Sequence, residues 1–383
     1  MRNSFFAFLL ILASTAFVQA QTWVDSLDYY AREKYMPPSK YKWTWQRASL
    51  LFAMTKQYEL VDDNKTLYMD FVQKAMDRKY SKASGKSPNA VASGLGMSFL
   101  ALHKKGEKYE KASHKIFQDY LKVKRTDNGG ISHKKFFKEL WDDTIFMIGI
   151  YLQNMYLWTG DEKYMDELFL QIDAHREKLS DPATGLWYHG WDGDNRNRCN
   201  FCGQSGWSKN PEKRSNEFWG RGNGWVVVTM AETVRTLPEG HPKRVTAEQY
   251  LKEMIVNLPK VQDVNTGHWY QLPMRPEQAG NYIESSATAM FAYGILVALE
   301  ENVVEGEAYE KALSRAYEGL RQFSMKEVGG KYLTVVNVCK GTCIGNMNYY
   351  LKRSANGQKP YGLGMAIVFG RAYENYVKAE ITK

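Results

Sequence analysis

Long apolar runs are absent from this 383-residue chain beyond its first twenty residues, and no later stretch reaches the ~18 apolar residues that a membrane-spanning helix needs. Phosphate-cradling loops of the GxGxxG or GxxxxGKS/T type, an HExxH pair and a GxSxG turn are also missing. Dinucleotide, nucleotide-triphosphatase, zinc-protease and esterase chemistry lose their usual support. No Pro/Ser-rich linker or break in composition divides the chain, and no repeat of fixed period runs through it. Lys is spread without long runs and no basic cluster interleaved with aromatics occurs, so nucleic acid is not an expected partner. Cysteine is scarce, at four residues, and none lies near the N-terminal apolar run, which leaves a lipid-anchored start unsupported.

What is present begins with MRNSFFAFLLILASTAFVQA. An early Arg2, an apolar run from Phe5 to Val18 and a small-residue end at Ala20 make the pattern of a cleaved secretory signal over residues 1–20. The expected mature protein is soluble, periplasmic or secreted, and not membrane-inserted. Cleavage after Ala20 removes one positive charge from a formal net charge of +9. A basic exported protein suits an acidic ligand, although a Lys-rich solvated surface gives the same balance. Aromatics make up 14% of the chain, with 25 Tyr and 11 Trp, and flat rings stack on sugar faces as readily as they fill cores.

The 3.6-residue period and its breakers give about twelve helical segments and few strands. They begin near Val24, Lys42, Asn64, Asn89, Glu107, Glu139, Glu162, Trp219, Pro242, Glu284, Gly306 and Tyr361. Turns such as TGDEKY (159–164) and ENVVEGEAYEKA (301–312) join an apolar-rich helix to a more charged one, as in αα-hairpins. ATGLWYHGWD (183–192), NTGHWYQLP (265–273) and GGKYLTVVNV (329–338) each follow a Gly turn with alternating aromatic and polar residues and read as small strands. Roughly six such hairpins in succession close into a ring with buried inner helices. The expectation is an all-α fold, an (α/α)6 barrel with a few short strands in its loops, forming one domain over residues 21–383. A helical solenoid is the alternative. ELWDDTIFMIGIYLQNMYLW, apolar almost all round, is expected to be an inner helix.

Polar residues within this apolar frame mark the candidate site. Asp142 and Asp143 open the greasiest helix. One is expected to cap it, where carboxylates meet free N–H groups and the positive dipole end. The other, facing inward among Trp141, Phe146 and further rings, has the desolvated setting that raises a carboxyl pKa into a general-acid range. Spacing does not say which is which. His189, in LWYHGWD with Trp187, Tyr188 and Trp191, is either structural or a ligand contact on a loop at the same barrel end as FWGRGNGWV (218–226). In that second phrase Arg221 lies between Gly220 and Gly222, whose backbones allow close approach, and between Trp219 and Trp225. It is either a bidentate partner for a carboxylate or sulfate, or an Arg packed over a Trp ring. The cysteines occur as CNFC (Cys199, Cys202) and CKGTC (Cys339, Cys343). Even number and export favour disulfides; tetrahedral zinc and free thiols stay open.

Taken together, WDDTIFM (141–147), TGLWYHGWD (184–192), FWGRGNGWV (218–226), GNYIESSATAMFAYGI (280–295) and KGTCIGNMNYYLKR (340–353) resemble the unsaturated uronyl hydrolases of glycoside hydrolase family 105, related to family 88. The resemblance spans nearly the whole mature chain in order. It implies an (α/α)6 barrel that removes the terminal 4,5-unsaturated uronic acid left by a polysaccharide lyase, by hydrating the C4=C5 bond, with no cofactor and no metal. The family's W-x-D phrase places the catalytic acid/base on Asp143 and leaves Asp142 as its neighbour. His189, Arg221 and Trp225 fall at positions lining the unsaturated-sugar subsite, with Arg221, flanked by Trp219 and Trp225, as partner for the uronate carboxylate and a Trp for the ring face. One departure stands out: where the family has an Asp contacting the sugar hydroxyls, SPNAVASGLG (87–96) puts Asn89, which keeps hydrogen bonding but not the charge. The implied partner is an anionic unsaturated oligosaccharide, either the sulfated glucuronyl-rhamnose type of ulvan or the rhamnogalacturonan type of pectin. A non-catalytic carbohydrate-binding barrel, and an ordinary glycosidase or epimerase on the same fold, are the rival classes.

Overall fold

The computed structural model describes residues 22–195 and 207–382. The expected signal segment, Cys199 and Cys202 lie outside these residues. In chain order the helices are α1 (Trp23–Tyr29), continued by a π-helical turn (Tyr30–Tyr35), α2 (Trp45–Leu60), α3 (Lys65–Asp77), the short α4 (Pro88–Val91), α5 (Leu95–His103), α6 (Glu107–Tyr120), α7 (Thr144–Thr159) and α8 (Lys163–Leu179). They go on with α9 (Gly220–Thr236), α10 (Arg244–Ile255), α11 (Ser285–Glu300), α12 (Glu307–Phe323), the short α13 (Met347–Leu351) and α14 (Pro360–Thr382). The strands are β1 (Glu139–Trp141), β2 (Gly190–Asp192), β3 (Met325–Val328) and β4 (Tyr332–Val335), paired antiparallel as β1 with β2 and β3 with β4.

Six helices close a ring in the order α2, α5, α7, α9, α11, α14 and back to α2. Each has an outer partner: α3, α6, α8, α10 and α12 pack on the inner helices they follow in the chain, and α1 covers α14. This is the (α/α)6 barrel expected from the hairpin pattern. Side chains explain the division. Every residue of α11 from Ser285 to Ala298 is buried, as is α9 from Gly220 to Val234, which a helix touched on all sides requires. The outer α12 buries only the stripe Ala312, Leu313, Ala316, Gly319 and Leu320 and turns its charges outward.

The hairpins alternate inner and outer, so every inner helix enters the ring from the same end and six N-termini converge there. Trp45, starting α2, stacks on Tyr361, starting α14, at 5.2 Å. Arg221, in the first turn of α9, lies over the same Tyr361 at 4.5 Å and reaches Glu284 at the cap of α11.

Two elements differ from the sequence reading. The helix expected from Glu139 starts at Thr144, because Glu139–Trp141 pairs with Gly190–Asp192 as a strand; a partner so distant in sequence leaves no local signal. Of the three small-strand phrases, the first and third supply β2 and β4, while NTGHWYQLP contributes an isolated bridge, Tyr270 to Ile283.

Gly294 of α11 sets the approach to α9, since a Cβ there would lie 2.1 Å from Cγ1 of Val227. Gly294→Ala gains at most ~1 kcal/mol of helix propensity. It loses more to overpacking, about 1–3 kcal/mol at the upper end, because β-branched Val227 has one favoured rotamer in a helix and no space to move. Thermal unfolding of Gly294→Ala, Val227→Ala and the double variant checks this: the double variant should be more stable than the two single losses added together predict, and strict additivity would contradict the contact.

Candidate active site

The β1–β2 ribbon assembles the centre of the site. Trp141 sits opposite Gly190, and just beyond that pair the Asp142 N–H donates to the His189 carbonyl at 3.1 Å. The two adjacent aspartates are thereby fixed beside a histidine from another hairpin. On its other side Asp142 lies against Gly222 of α9, where a Cβ would come within 2.2 Å of its Oδ2. Gly220, Gly222 and Gly224 belong to the first turns of α9 itself, with Trp219 at its N-cap, and do not form a preceding turn. Gly222 leaves the space that a buried carboxyl occupies.

The two carboxyls have different surroundings. Asp142 is fully buried, and its Oδ1 accepts the Asp143 N–H at 2.7 Å. Asp143 keeps 13% side-chain exposure and, although it occupies the N-cap of α7, makes no capping bond with its side chain. Burial raises both above the usual carboxylate range. Asp143 is pushed up to about 7, with Lys134 and Arg221 pulling it partly back. Asp142 is raised well above its ordinary value by burial, and the charge of Asp143 adds to the effect. Asp142 is therefore the neighbour that keeps its proton, and Asp143 exchanges its own near neutral pH.

His133 is a site residue that the sequence reading missed. Its ring stacks on Trp141 with centroids 4.4 Å apart and planes 6° from parallel, and Nδ1 lies 2.8 Å from Thr144 Oγ1 and 3.6 Å from Asp143 Oδ1. Its Nε2 faces the Asn89 amide nitrogen at 3.4 Å. Because that amide donates, Nε2 accepts and Nδ1 carries the proton. Burial, then the Lys134 cation, holds His133 well below its usual pKa and so neutral. The residue stands in SHKKFFK, where its neighbours are Lys and Phe of an ordinary surface loop, and only its position ahead of WDD hinted at more. Asn89 itself is half-buried and joins Asp143 through this histidine.

His189 is fully buried and stacks on Trp219 at 4.4 Å. Its Nδ1 lies 2.8 Å from the Tyr350 hydroxyl, a phenol whose pKa burial raises further, so the hydroxyl donates and the histidine proton sits on Nε2. That Nε2 is unpartnered, 3.9 Å from Asp142 Oδ1. Burial first and Arg221 second keep the imidazole neutral.

Of its two readings, Arg221 takes the one packed over a Trp ring in place of the free carboxylate partner. It is fully buried between Trp219 (4.4 Å) and Tyr361 (4.5 Å). Its Nη1 donates to the Cys339 carbonyl (2.8 Å) and toward Glu284 (3.4 Å), and Nη2 to the Lys340 carbonyl (3.0 Å). The guanidinium braces the loop after β4 to the cap of α11, and only Nε is left without a partner. Trp225 is also a core residue, packed on Phe146 at 4.2 Å and 1% exposed. Cys339 and Cys343 are not bridged to one another: the N–H of Cys339 is held by Glu284, its carbonyl by Arg221 and Tyr361, and its buried thiol lies 3.2 Å from Thr342 Oγ1. Among the described residues no group of three or more His, Cys, Asp or Glu is placed to hold a metal ion.

Buried polar atoms normally have partners. Here Asp142 Oδ2, Asp143 Oδ1, His189 Nε2, Trp219 Nε1 and Arg221 Nε are buried without one, all at the end where the inner helices begin. The converging helix N-termini favour negative charge at this end.

A family model described as Glycosyl Hydrolase Family 88 matches residues 19–377. The unsaturated rhamnogalacturonyl hydrolase YesR of Bacillus subtilis (strain 168) is 24% identical over 340 residues, covering 86% of this chain and 89% of that protein. The unsaturated 3S-rhamnoglycuronyl hydrolase of Alteromonas sp. (strain LOR) is 23% identical over 180 residues, 47% of this chain and 40% of that one. Among solved structures, a family 105 glycoside hydrolase of C. acetobutylicum ATCC 824 superposes with a TM-score of 0.80 at 25% identity, covering 93% of this chain and all of the other. With the barrel, the buried aspartate pair and a match over nearly its whole length, the chain belongs to glycosyl hydrolase family 88.

Proposed function

We propose that the protein removes a terminal 4,5-unsaturated uronic acid from lyase-cut oligosaccharides by adding water across C4=C5. The observation that carries this reading is Asp143: a largely buried carboxyl that keeps 13% side-chain exposure, is unpartnered at Oδ1, and is raised to about 7. As the acid it gives its proton to C4 of the enol ether while water bonds to C5. The carboxylate so formed takes the proton that the water loses, which restores the acid. The C5 hemiketal then opens, freeing the hydroxyl at C1, and the resulting hemiacetal releases the next sugar. One water is consumed and one carboxyl serves as both acid and base. An ordinary glycosidase needs two carboxyls flanking the bond. Asp142 has no exposure and Glu284 is buried against Ser286, Ala287 and Cys339, so neither faces a substrate across from Asp143.

In this reading Asn89 holds a sugar oxygen, His189, Trp219 and Arg221 fix the wall behind it, and the proton kept on Asp142 spares the pair a second negative charge. The substrate we favour is an unsaturated glucuronyl-rhamnose oligosaccharide of the sulfated ulvan type. The basic chain and the similarity to an enzyme named for a 3-sulfated rhamnoglycuronyl substrate support it. The similarity to YesR over most of the chain favours unsaturated rhamnogalacturonan as the second reading. We further propose export through cleavage after Ala20, for which intact-mass measurement of protein recovered outside the cytoplasm should give an N-terminus at Gln21; recovery with Met1 retained would contradict it.

The ultraviolet absorbance of the C4=C5 bond reports turnover. On digests made by ulvan lyase and by rhamnogalacturonan lyase, the protein should bleach one, with kcat falling as pH rises through about 7 because Asp143 then loses the proton it must donate. Asp143→Asn should lower kcat by at least about 100-fold. It should not lower Tm at neutral pH: the folded pKa lies above the unfolded value, so the ionised carboxyl costs stability above ~4 and Asn removes that cost. Near-normal bleaching by Asp143→Asn would overturn the assignment.

A further inference from the structure

Beside the mouth of the site, on the side of Asn89 and His133, a cleft of about 340 Å3 opens between the start of α4, the end of α6 and the loop that leads to β1. Its walls carry Lys86, Lys122, Lys124 and Lys135. Ser87, which caps the helix bearing Asn89, and Ser132, which precedes His133, also line it and tie it to the catalytic end. The acid in the wall, Asp119, is already bound by Lys115 at 3.0 Å and by the Gly85 N–H at 3.4 Å. Lys124 donates to the Phe136 carbonyl at 3.4 Å and faces Asp194 at 3.8 Å. Lys86, Lys122 and Lys135 meet no carboxylate within ion-pair distance among the described residues. Ammonium groups gathered around a neutralised acid repel one another, and a bound anion relieves that. Next to them stands Phe136, 70% exposed, with Lys135 over its ring at 5.3 Å. A bare aromatic face among cations fits a sugar ring that carries acidic groups.

Resting on the hydration of a terminal unsaturated sugar at Asp143, the rest of the substrate extends from the site in one direction only. We propose that this cleft is an anion subsite for the leaving saccharide: the lysines take its carboxylate or sulfate groups and Phe136 stacks on its ring. The cleft thus makes the enzyme prefer longer, more anionic lyase products.

The test compares wild type with Lys86→Gln/Lys122→Gln/Lys135→Gln on an unsulfated unsaturated disaccharide, too short to reach the cleft, and on sulfated and desulfated unsaturated tetrasaccharides. Disaccharide kcat and KM should stay unchanged. KM for the sulfated tetrasaccharide should rise roughly tenfold, the combined effect of three exposed ion pairs, and lose most of its dependence on ionic strength. A matching rise with the desulfated tetrasaccharide identifies carboxylates as the ligands, and a rise confined to the sulfated one identifies sulfate. An unchanged tetrasaccharide KM, or an equal change on the disaccharide, overturns the proposal. Calorimetric titration with a saturated sulfated tetrasaccharide separates this from the catalytic reading. If wild type bleaches no substrate, hydration fails, yet weaker binding by the triple variant still supports the cleft and equal binding overturns it.

Discussion

Two neighbouring carboxyl groups buried at the mouth of an apolar barrel cannot both be ionised at neutral pH, because each charge would lose its water and face the other across a medium that screens it poorly. The chemistry of the site depends on how the fold resolves that constraint. Asp142 is enclosed by the β1–β2 ribbon and by the space at Gly222 and is raised well above its ordinary value; Asp143, one residue on, keeps a small exposure and is raised to about 7. The asymmetry makes one of them a proton donor near pH 7. Neutral His133 and His189 complete the arrangement, since a protonated imidazole at either place would pull the proton off Asp143 and end its use as an acid.

Holding those groups in place is the work of the ring. Six inner helices start at this end, and the segments before them are laced together across the mouth. Arg221 joins α9 to the loop after β4 and to Glu284, while Asn89 and His133 join α4 to α7. A buried guanidinium is costly unless its donors are met. Here carbonyls, a carboxylate and two ring faces meet them, so Arg221 acts as a brace behind the sugar site.

Much of the barrel was legible in the sequence, because an inner helix must be apolar all round and an outer one only along a stripe; α11 and α12 show that contrast residue by residue. The aspartate pair and His189 were legible from their phrases, and the ribbon sets His189 beside Asp142. What was hidden depends on partners distant in the chain. The strand at Glu139–Trp141 exists only because Gly190–Asp192 lies beside it. Gly-flanked Arg221 read equally as an anion partner or as an Arg packed over a Trp ring; it packs over Trp219, and its donors are taken by carbonyls of Cys339 and Lys340 in a loop that no local pattern connects to it. Trp225 has the same composition signal as Trp219, yet it sits nearly two helical turns deeper and ends in the core against Phe146. His133 gave almost no signal, being a lone histidine in a lysine-rich loop.

The central claim is that burial divides the pair into a carboxyl that stays protonated and one that titrates near neutrality. Protein labelled with 13C at the aspartate carboxyl carbons, with Asp142→Asn and Asp143→Asn used for assignment, allows both groups to be titrated directly by NMR. The account predicts a midpoint for Asp143 close to 7 and, for Asp142, no ionisation up to that pH. Midpoints for both near the ordinary aspartate value of ~4 would contradict it.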